Sequence, residues 1–340
     1  IVLSVSLTAS LVSLFPATAN HDPSLISFND AICDFATAGY LGSGISADPW
    51  QISDSESLWE VSDCEAQNPG GHYRLISNIY PSSASAAPTT MPIGAASSNQ
   101  THLFEGHLNG AGFQVSGLSI SATSQNGLLS VGLFAGLRNA EIRNLSISGS
   151  IQGAEHPLYS SDDLRYSTGV IAGRSDGTLT LSNITVDATI VGSRRVGGMV
   201  GAANDVIASQ LSTAGAIFGT ANTAGFFGAV SGKAVILGSR NDADLQGLGT
   251  EAAATFGGFI AGAEYAEVFD STNHGDVIGG YITAGVVGGA RGVTFSNVVN
   301  TGKITAGRQS APLSITMTGG LVGVVGTASI SRSQNFGPVV

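Results

Sequence analysis

Charge is scarce in this sequence. Only 11% of its 340 residues are Asp, Glu, Lys or Arg, against about 25% in an ordinary soluble domain, so Ser, Thr, Asn and Gly must cover the surface. Basic residues are scarcest: 13 Lys and Arg stand against 24 Asp and Glu, for a net charge of −11, and they form no run. Binding to nucleic acid or to an anionic membrane surface depends on clustered Lys and Arg, so neither partner is expected. Cysteine is confined to Cys33 and Cys64. No Cys-His cluster exists, which leaves a structural zinc site without support. Also missing are His-Glu-x-x-His, the Gly-x-Ser-x-Gly elbow, a Gly-x-x-x-x-Gly-Lys-Ser/Thr phosphate loop and the Asp-bearing calcium nonapeptide, so no cofactor is implied. Disorder does not fit either, because hydrophobic residues make up 43% and the mean hydropathy is +0.26.

Residues 1–19 carry no charge and end in Ala17-Thr18-Ala19, the apolar core and small-residue cleavage site of a secretory signal peptide. A basic leader and an initiator Met are missing, so the signal reads as truncated. The alternative is a retained apolar strand, since Leu3, Val5, Leu7, Ala9 and Leu11 alternate with Ser and Thr. An exported, Lys-poor, acidic chain is expected outside the cell or on its surface, with no membrane insertion once the signal is removed. Cys33 and Cys64 then form the expected disulfide.

What the chain has is glycine, 47 residues of it, in a repeat. A glycine-bracketed apolar core recurs seven times: Gly132-Leu-Phe-Ala-Gly136, Gly169-Val-Ile-Ala-Gly173, Gly198-Met-Val-Gly201, Gly225-Phe-Phe-Gly228, Gly258-Phe-Ile-Ala-Gly262, Gly285-Val-Val-Gly288 and Gly320-Leu-Val-Gly323. Each core is followed by a small anchor residue: Gly149, Ala188, Gly215, Ala243, Gly275, Gly302 and Gly337. The positions two after, seven before and nine before each anchor are apolar in every repeat. Anchors lie as little as 27 residues apart, as from Ala188 to Gly215. Such a unit holds about three short strands and their turns, and no clean helical period runs between the cores. The expected fold is all-β, a single-chain parallel β-helix of right-handed sense, whose apolar columns stack into one core. Glycine at the brackets is expected to serve positive φ or close approach between coils. Asn241, Asn273, Asn300 and Asn335 recur two residues before their anchors. They are expected either to stack as an amide ladder or simply to favour turns.

These repeats resemble the GLUG-motif family of large bacterial surface proteins, some adhesin-like and some IgA-protease-like. Gly320-Leu-Val-Gly323 and Gly132-Leu-Phe-Ala-Gly136 carry the resemblance. So do the leading segments Gly42-Ser-Gly44 to Ile52, His72-Tyr73-Arg74-Leu75 and Phe104-Glu-Gly106 to Gly112. The resemblance implies a β-helical surface module and brings no catalytic residue. Gly225-Phe-Phe-Gly228 departs from the pattern by lacking its Leu.

The organisation expected is residues 20–102 as an N-terminal cap and residues 103–340 as the solenoid. Asn335 to Val340 fill a seventh set of columns with no polar cap after them. The array is therefore expected to continue beyond residue 340, or to stack end to end on another subunit and form filaments. Function is read as non-catalytic: spacing or presenting a surface for a cell-surface or matrix glycan or protein, with specificity in the insertions at 154–167 and 308–317. The alternative is a carbohydrate-active lyase or hydrolase, which needs carboxylates on one face of adjacent coils. Asp162 and Asp163 with Arg165, Asp242 with Asp244, and His274 with Asp276 are the residues for it; no metal ligands are assigned. Asn99-Gln-Thr101, Asn144-Leu-Ser146 and Asn183-Ile-Thr185 fit the glycosylation pattern, but the last two fall in strand columns and are read as incidental.

Overall fold

The computed structural model describes residues 40–67, 69–81, 92–94, 102–122, 129–154, 166–248, 254–307 and 316–340, all within one compact unit, Ile32–Val340. Residues 1–19 and Cys33 lie outside the described residues. The described chain is nearly all β. Named strands pair only in parallel, in two sheets of 17 and 7 strands, wound into seven coils. This is the parallel β-solenoid that the periodic columns require.

Each coil opens with a strand of two or three residues. These are Ser130–Val131, Ser167–Gly169, Arg195–Gly197, Asn222–Ala224, Thr255–Gly257, Ile282–Ala284 and Met317–Gly319, stacked in chain order. The chain then enters the larger sheet, where Ala172–Val191 and Val200–Gly219 pair over almost their whole length. The column seven residues before the anchor runs Ile142, Leu181, Ala208, Ile236, Val268, Phe295, Ile330, each paired with the next. The column two residues after it, from Ile151 to Val339, is equally in register. In the bracketed cores ring packs against ring, as Phe226 does on Phe259 with centroids 4.6 Å apart and planes tilted by 36°.

A strict alternation would turn the wrong side chains inward beyond the column at seven before the anchor. The chain corrects its phase at a corner. Five residues before every anchor the backbone takes a positive φ: Asn144 (53°), Asn183 (53°), Gln210 (55°), Gly238 (57°), Asp270 (49°), Asn297 (56°) and Arg332 (48°). One left-handed residue bends the strand and shifts the inward phase by one. Leu145, Ile184, Leu211 and Val298, immediately after the corner, are therefore buried. Asn and Asp tolerate this conformation better than most L-residues, which accounts for most of the column.

The bracket glycines do not use positive φ; none of the fourteen is among the positive-φ residues. Close approach explains all of them but Gly262, where a Cβ would meet open space. Their alignment also needs one correction. Gly169 pairs with Gly197, not Gly198, and the partner of Gly198 is Val170. The reason lies across the core. Val170 belongs to the coil with Val186 two before its anchor, whereas Gly198 faces Thr213. Gly225, Gly258, Gly285 and Gly320 face Asn241, Asn273, Asn300 and Asn335, and a side chain on any of them would run into that amide.

The asparagine column is a ladder, buried at Asn241, Asn273 and Asn300 and exposed at its last member, Asn335. Asn241 Nδ2 donates to Asn273 Oδ1 at 2.7 Å, Asn273 to Asn300 at 2.7 Å, and Asn300 to Asn335 at 2.6 Å. Each amide also donates to the carbonyl two residues on, such as Asn273 to Gly275 at 2.9 Å. Thr213 heads the ladder by donating its hydroxyl to Asn241 Oδ1. Stacking and turn-forming are thus done by the same amide. Both Nδ2 hydrogens of Asn241, Asn273 and Asn300 are used.

The parallel ladder also extends toward the N-terminus. Strands β1 (Trp50–Ile52), β2 (His72–Leu75) and β3 (His107–Asn109) pair in order and lead onto Glu141, Ile142 and Arg143 of the first coil. Between β1 and β2 lies helix α1 (Ser55–Gln67). Asp54 caps it by accepting the Ser57 N–H at 2.8 Å, while the Ser57 hydroxyl accepts the Asp54 N–H at 3.1 Å. Leu58, Val61, Cys64 and Glu65 form its buried stripe.

Candidate functional site

Two outer surfaces of the solenoid carry side chains that could do chemistry or recognition. The first is the edge around the anchors. Asp242, His274 and Thr301 stand on consecutive rungs immediately before their anchors, and Asp244, Asp276 and Lys303 immediately after. The structure therefore brings together the acids singled out for hydrolysis or elimination. It also engages each of them. Asp244 Oδ1 accepts the Asp276 N–H at 2.9 Å, and Asp276 Oδ1 accepts the Lys303 N–H at 2.8 Å. Arg240 Nε donates to both oxygens of Asp242, at 2.8 and 2.6 Å, and this pairing holds the guanidinium more firmly charged. His274 Nδ1 is hydrogen-bonded to Thr301 Oγ1 at 2.6 Å. A carboxylate that accepts the backbone N–H of the next rung is a strand-to-strand tie. Asp162, Asp163 and Arg165, and most of both insertions, lie outside the described residues.

The second surface is the outer face of the long sheet, on the positions six, eight and ten before the anchors. In the middle coils it carries a cluster of apolar side chains among charged ones. Ile207 pairs with Val235, Leu237 with Phe269, and Lys233 with Tyr265. Ile207 is 53% exposed, Leu237 47% and Tyr265 49%, with Val235 and Phe269 half-buried. The Lys233–Glu267 ion pair, at 2.8 Å, lies within the patch, with Glu267 between Tyr265 and Phe269 on one strand, and Arg291 pairs with Glu264 at 2.8 Å beside it. Toward either end of the solenoid the same columns turn polar, with Thr180 and Ser182 on one side and Thr294 and Ser296 on the other. The patch escaped sequence reasoning, yet a signal existed. Val235-Ile236-Leu237 and Val268-Phe269 are unbroken apolar runs where a one-sided strand should alternate.

Near the N-terminal end, His72 and His107 stack with ring centroids 4.3 Å apart, and His107 Nδ1 lies 3.2 Å from Glu141 Oε2. Burial, then the neighbouring His107, holds the His72 imidazole below its ordinary value. Inside the cap, Glu65 is buried and accepts the N–H groups of Gly71 at 2.9 Å, Glu105 at 3.0 Å and Gly70 at 3.2 Å. Burial pushes its pKa up despite these bonds, and pushes Tyr73, whose hydroxyl also bonds Glu65, upward as well. Glu65 thus ties α1 to β2 and to the segment before β3. Among the described residues no group of three or more His, Cys, Asp or Glu is arranged to hold a metal ion.

No family model matches the chain. Over 186 residues, 52% of its length, it is 32% identical to halomucin of Haloquadratum walsbyi, and it spans 2% of that protein. A crystal structure of a candidate immunoglobulin A1 protease from Bacteroides ovatus superposes with a TM-score of 0.56 at 13% identity, covering 84% of this chain and 86% of that one. A solved IgA1 protease matches at a TM-score of 0.57 and 18% identity, over 82% of this chain and 21% of that one. At such identities the two structures share the fold.

Proposed function

We propose that this chain is a non-catalytic extracellular module of the GLUG kind, whose rigid solenoid spaces and presents a surface for a cell-surface or matrix glycan. The observation that carries this reading is the exposed patch of Ile207, Val235, Leu237, Tyr265 and Phe269 on a sheet that has no need of it for its own core. Aromatic faces offer the apolar C–H side of a sugar ring a flat partner. The paired charges of Lys233, Glu267, Glu264 and Arg291 place donors and acceptors within and beside it. Extracellular placement draws support from the acidic, Lys-poor composition and from the likeness to halomucin and to the protease-named solenoids.

A glycan array probed with the exported protein tests the reading. Binding to at least one glycan class is expected, reduced tenfold or more by Tyr265→Ser and by Leu237→Ser. A protein-only ligand from a cell-binding screen, with no glycan bound, would overturn the glycan assignment.

The enzyme reading has one observation in its favour, the names of the two solved relatives. Incubation with acidic polysaccharides and with immunoglobulin decides against it if nothing is turned over. Turnover abolished by Asp162→Ala, Asp163→Ala or Asp244→Asn would refute the non-catalytic reading.

A further inference from the structure

Two Asn-Xaa-Ser/Thr triplets fall in the described solenoid, and their surroundings differ from a strand interior. Asn144 and Asn183 both occupy the left-handed corner, where φ is 53° for each. The residue after each corner, Leu145 or Ile184, is buried, whereas Asn183 itself is exposed. In the second triplet Asn183 and Thr185 are exposed and Ile184, between them, is fully buried. The acceptor amide and the hydroxyl that defines the triplet therefore stand side by side on the surface, which is the setting an N-linked glycan requires.

We infer that Asn183 is an N-glycosylation site. Its amide donates from Nδ2 to Asn144 Oδ1 of the neighbouring coil at 3.0 Å. An amide nitrogen carries two hydrogens. One can stay in the coil-to-coil bond while a sugar replaces the other, so attachment and the native corner are compatible. Asn144 is placed less well. It is half-buried, donates to Asn109 Oδ1 at 3.1 Å and accepts from Asn183. Neighbouring coils are separated by about 4.8 Å, less than the width of a pyranose with its hydroxyls, so a glycan on Asn183 covers Asn144. One site of the pair is used, and it is Asn183.

The donor is a lipid-pyrophosphate-linked oligosaccharide. Asn183 Nδ2 attacks the anomeric carbon and forms the C–N bond while the C–O bond to pyrophosphate breaks. The displaced Nδ2 proton passes to a base of the transferase, and the lipid pyrophosphate leaves. Nothing is oxidised or reduced.

The inference rests on the extracellular placement, and the test separates the two. The full chain is expressed behind a complete secretory signal in an N-glycosylating host, and the exported and retained fractions are measured before analysis. Trypsin cuts after Arg174 and Arg194 and releases residues 175–194, in which Asn183 is the only asparagine. Expected is that this peptide carries a glycan mass in exported material, and that both Asn183→Gln and Thr185→Ala abolish it. Thr185→Ala keeps the Asn183 amide and its bond, so its effect reads the triplet rather than the fold. Exported protein with a bare 175–194 peptide, or a glycan that survives Thr185→Ala, overturns the inference alone. Retention of all the protein inside the cell overturns the extracellular placement and this inference with it.

Discussion

Replacing Asn273 with Ala removes three hydrogen bonds from a site with no access to solvent. Asn273 donates to Asn300 Oδ1 at 2.7 Å and to the Gly275 carbonyl at 2.9 Å, and accepts from Asn241 Nδ2 at 2.7 Å. Each buried group left unpaired costs about 1–3 kcal/mol. A water entering the space left by the amide would rehydrate part of the gap. The expected loss is therefore about 3–5 kcal/mol. Asn297→Gly is the matched control, because it forfeits one bond at an exposed corner, to Asp270 Oδ1 at 2.9 Å, and glycine accepts the positive φ. It should cost less than about 1 kcal/mol. Asn273→Thr should fall between, since Thr213 already donates its hydroxyl down the same ladder. Cooperativity can break down along a repeat array, so urea unfolding alone is insufficient. Hydrogen exchange should show that protection lost around His274 and Thr301 exceeds that around the first coil. A loss for Asn273→Ala no greater than for Asn297→Gly would refute the view that the ladder holds the coils together.

The remaining predictions concern the N-terminal region. Burial raises the Glu65 pKa above its unfolded value, so its contribution is fully present below that ordinary carboxyl range and is lost as pH rises through the folded value. Hydrogen exchange at α1 should therefore quicken with pH across that window, beyond the intrinsic exchange rate. Glu65→Gln should remove the slope while costing about 1–3 kcal/mol, because an amide nitrogen would face backbone N–H donors. The Ser57 N–H lowers the Asp54 pKa, so this cap strengthens above the ordinary Asp value and weakens as pH falls through the lowered one. Asp54→Ala should cost about 1 kcal/mol at neutral pH, read as faster exchange in the first turn of α1. We propose that Cys33 and Cys64, 31 residues apart in sequence, are joined and contribute about 3–4 kcal/mol. Two free thiols in exported protein, seen by non-reducing mass spectrometry, would contradict that.

The apolar columns were legible because burial repeats the same demand at the same place in every coil. Ile142 through Ile330 pair as their spacing from the anchors implies. The corner was not legible, because Asn144, Gln210, Gly238 and Arg332 share a backbone angle and no side-chain chemistry. The bracket offset was hidden by the same indifference: Gly169 and Gly198 look alike until Val186 and Thr213 are seen opposite them. Helix α1 went unnoticed because its stripe of Leu58, Val61, Cys64 and Glu65 includes a carboxylate, which a hydrophobic period does not count. The outer patch was missed for a different reason. Catalytic carboxylates leave a recognisable pattern in a sequence, whereas recognition by apolar side chains leaves no motif.

Thr213 makes the coils into two dialects with one interpreter. Before it, the column two residues ahead of the anchor holds Ile147 and Val186; after it come Asn241, Asn273 and Asn300, each with a glycine opposite. Threonine carries a methyl group that suits the first set and a hydroxyl that suits the second. Duplicating or deleting a coil within the asparagine set rejoins like with like, so such changes in length preserve the stacking. Deleting the coil of Thr213 would set Val186 against Asn241 and strip its amide oxygen of the threonine hydroxyl, leaving it the Ala243 N–H at 3.3 Å. Growth and shortening of this solenoid are thereby channelled: the asparagine coils are the exchangeable units, and the threonine coil is the splice that cannot be moved.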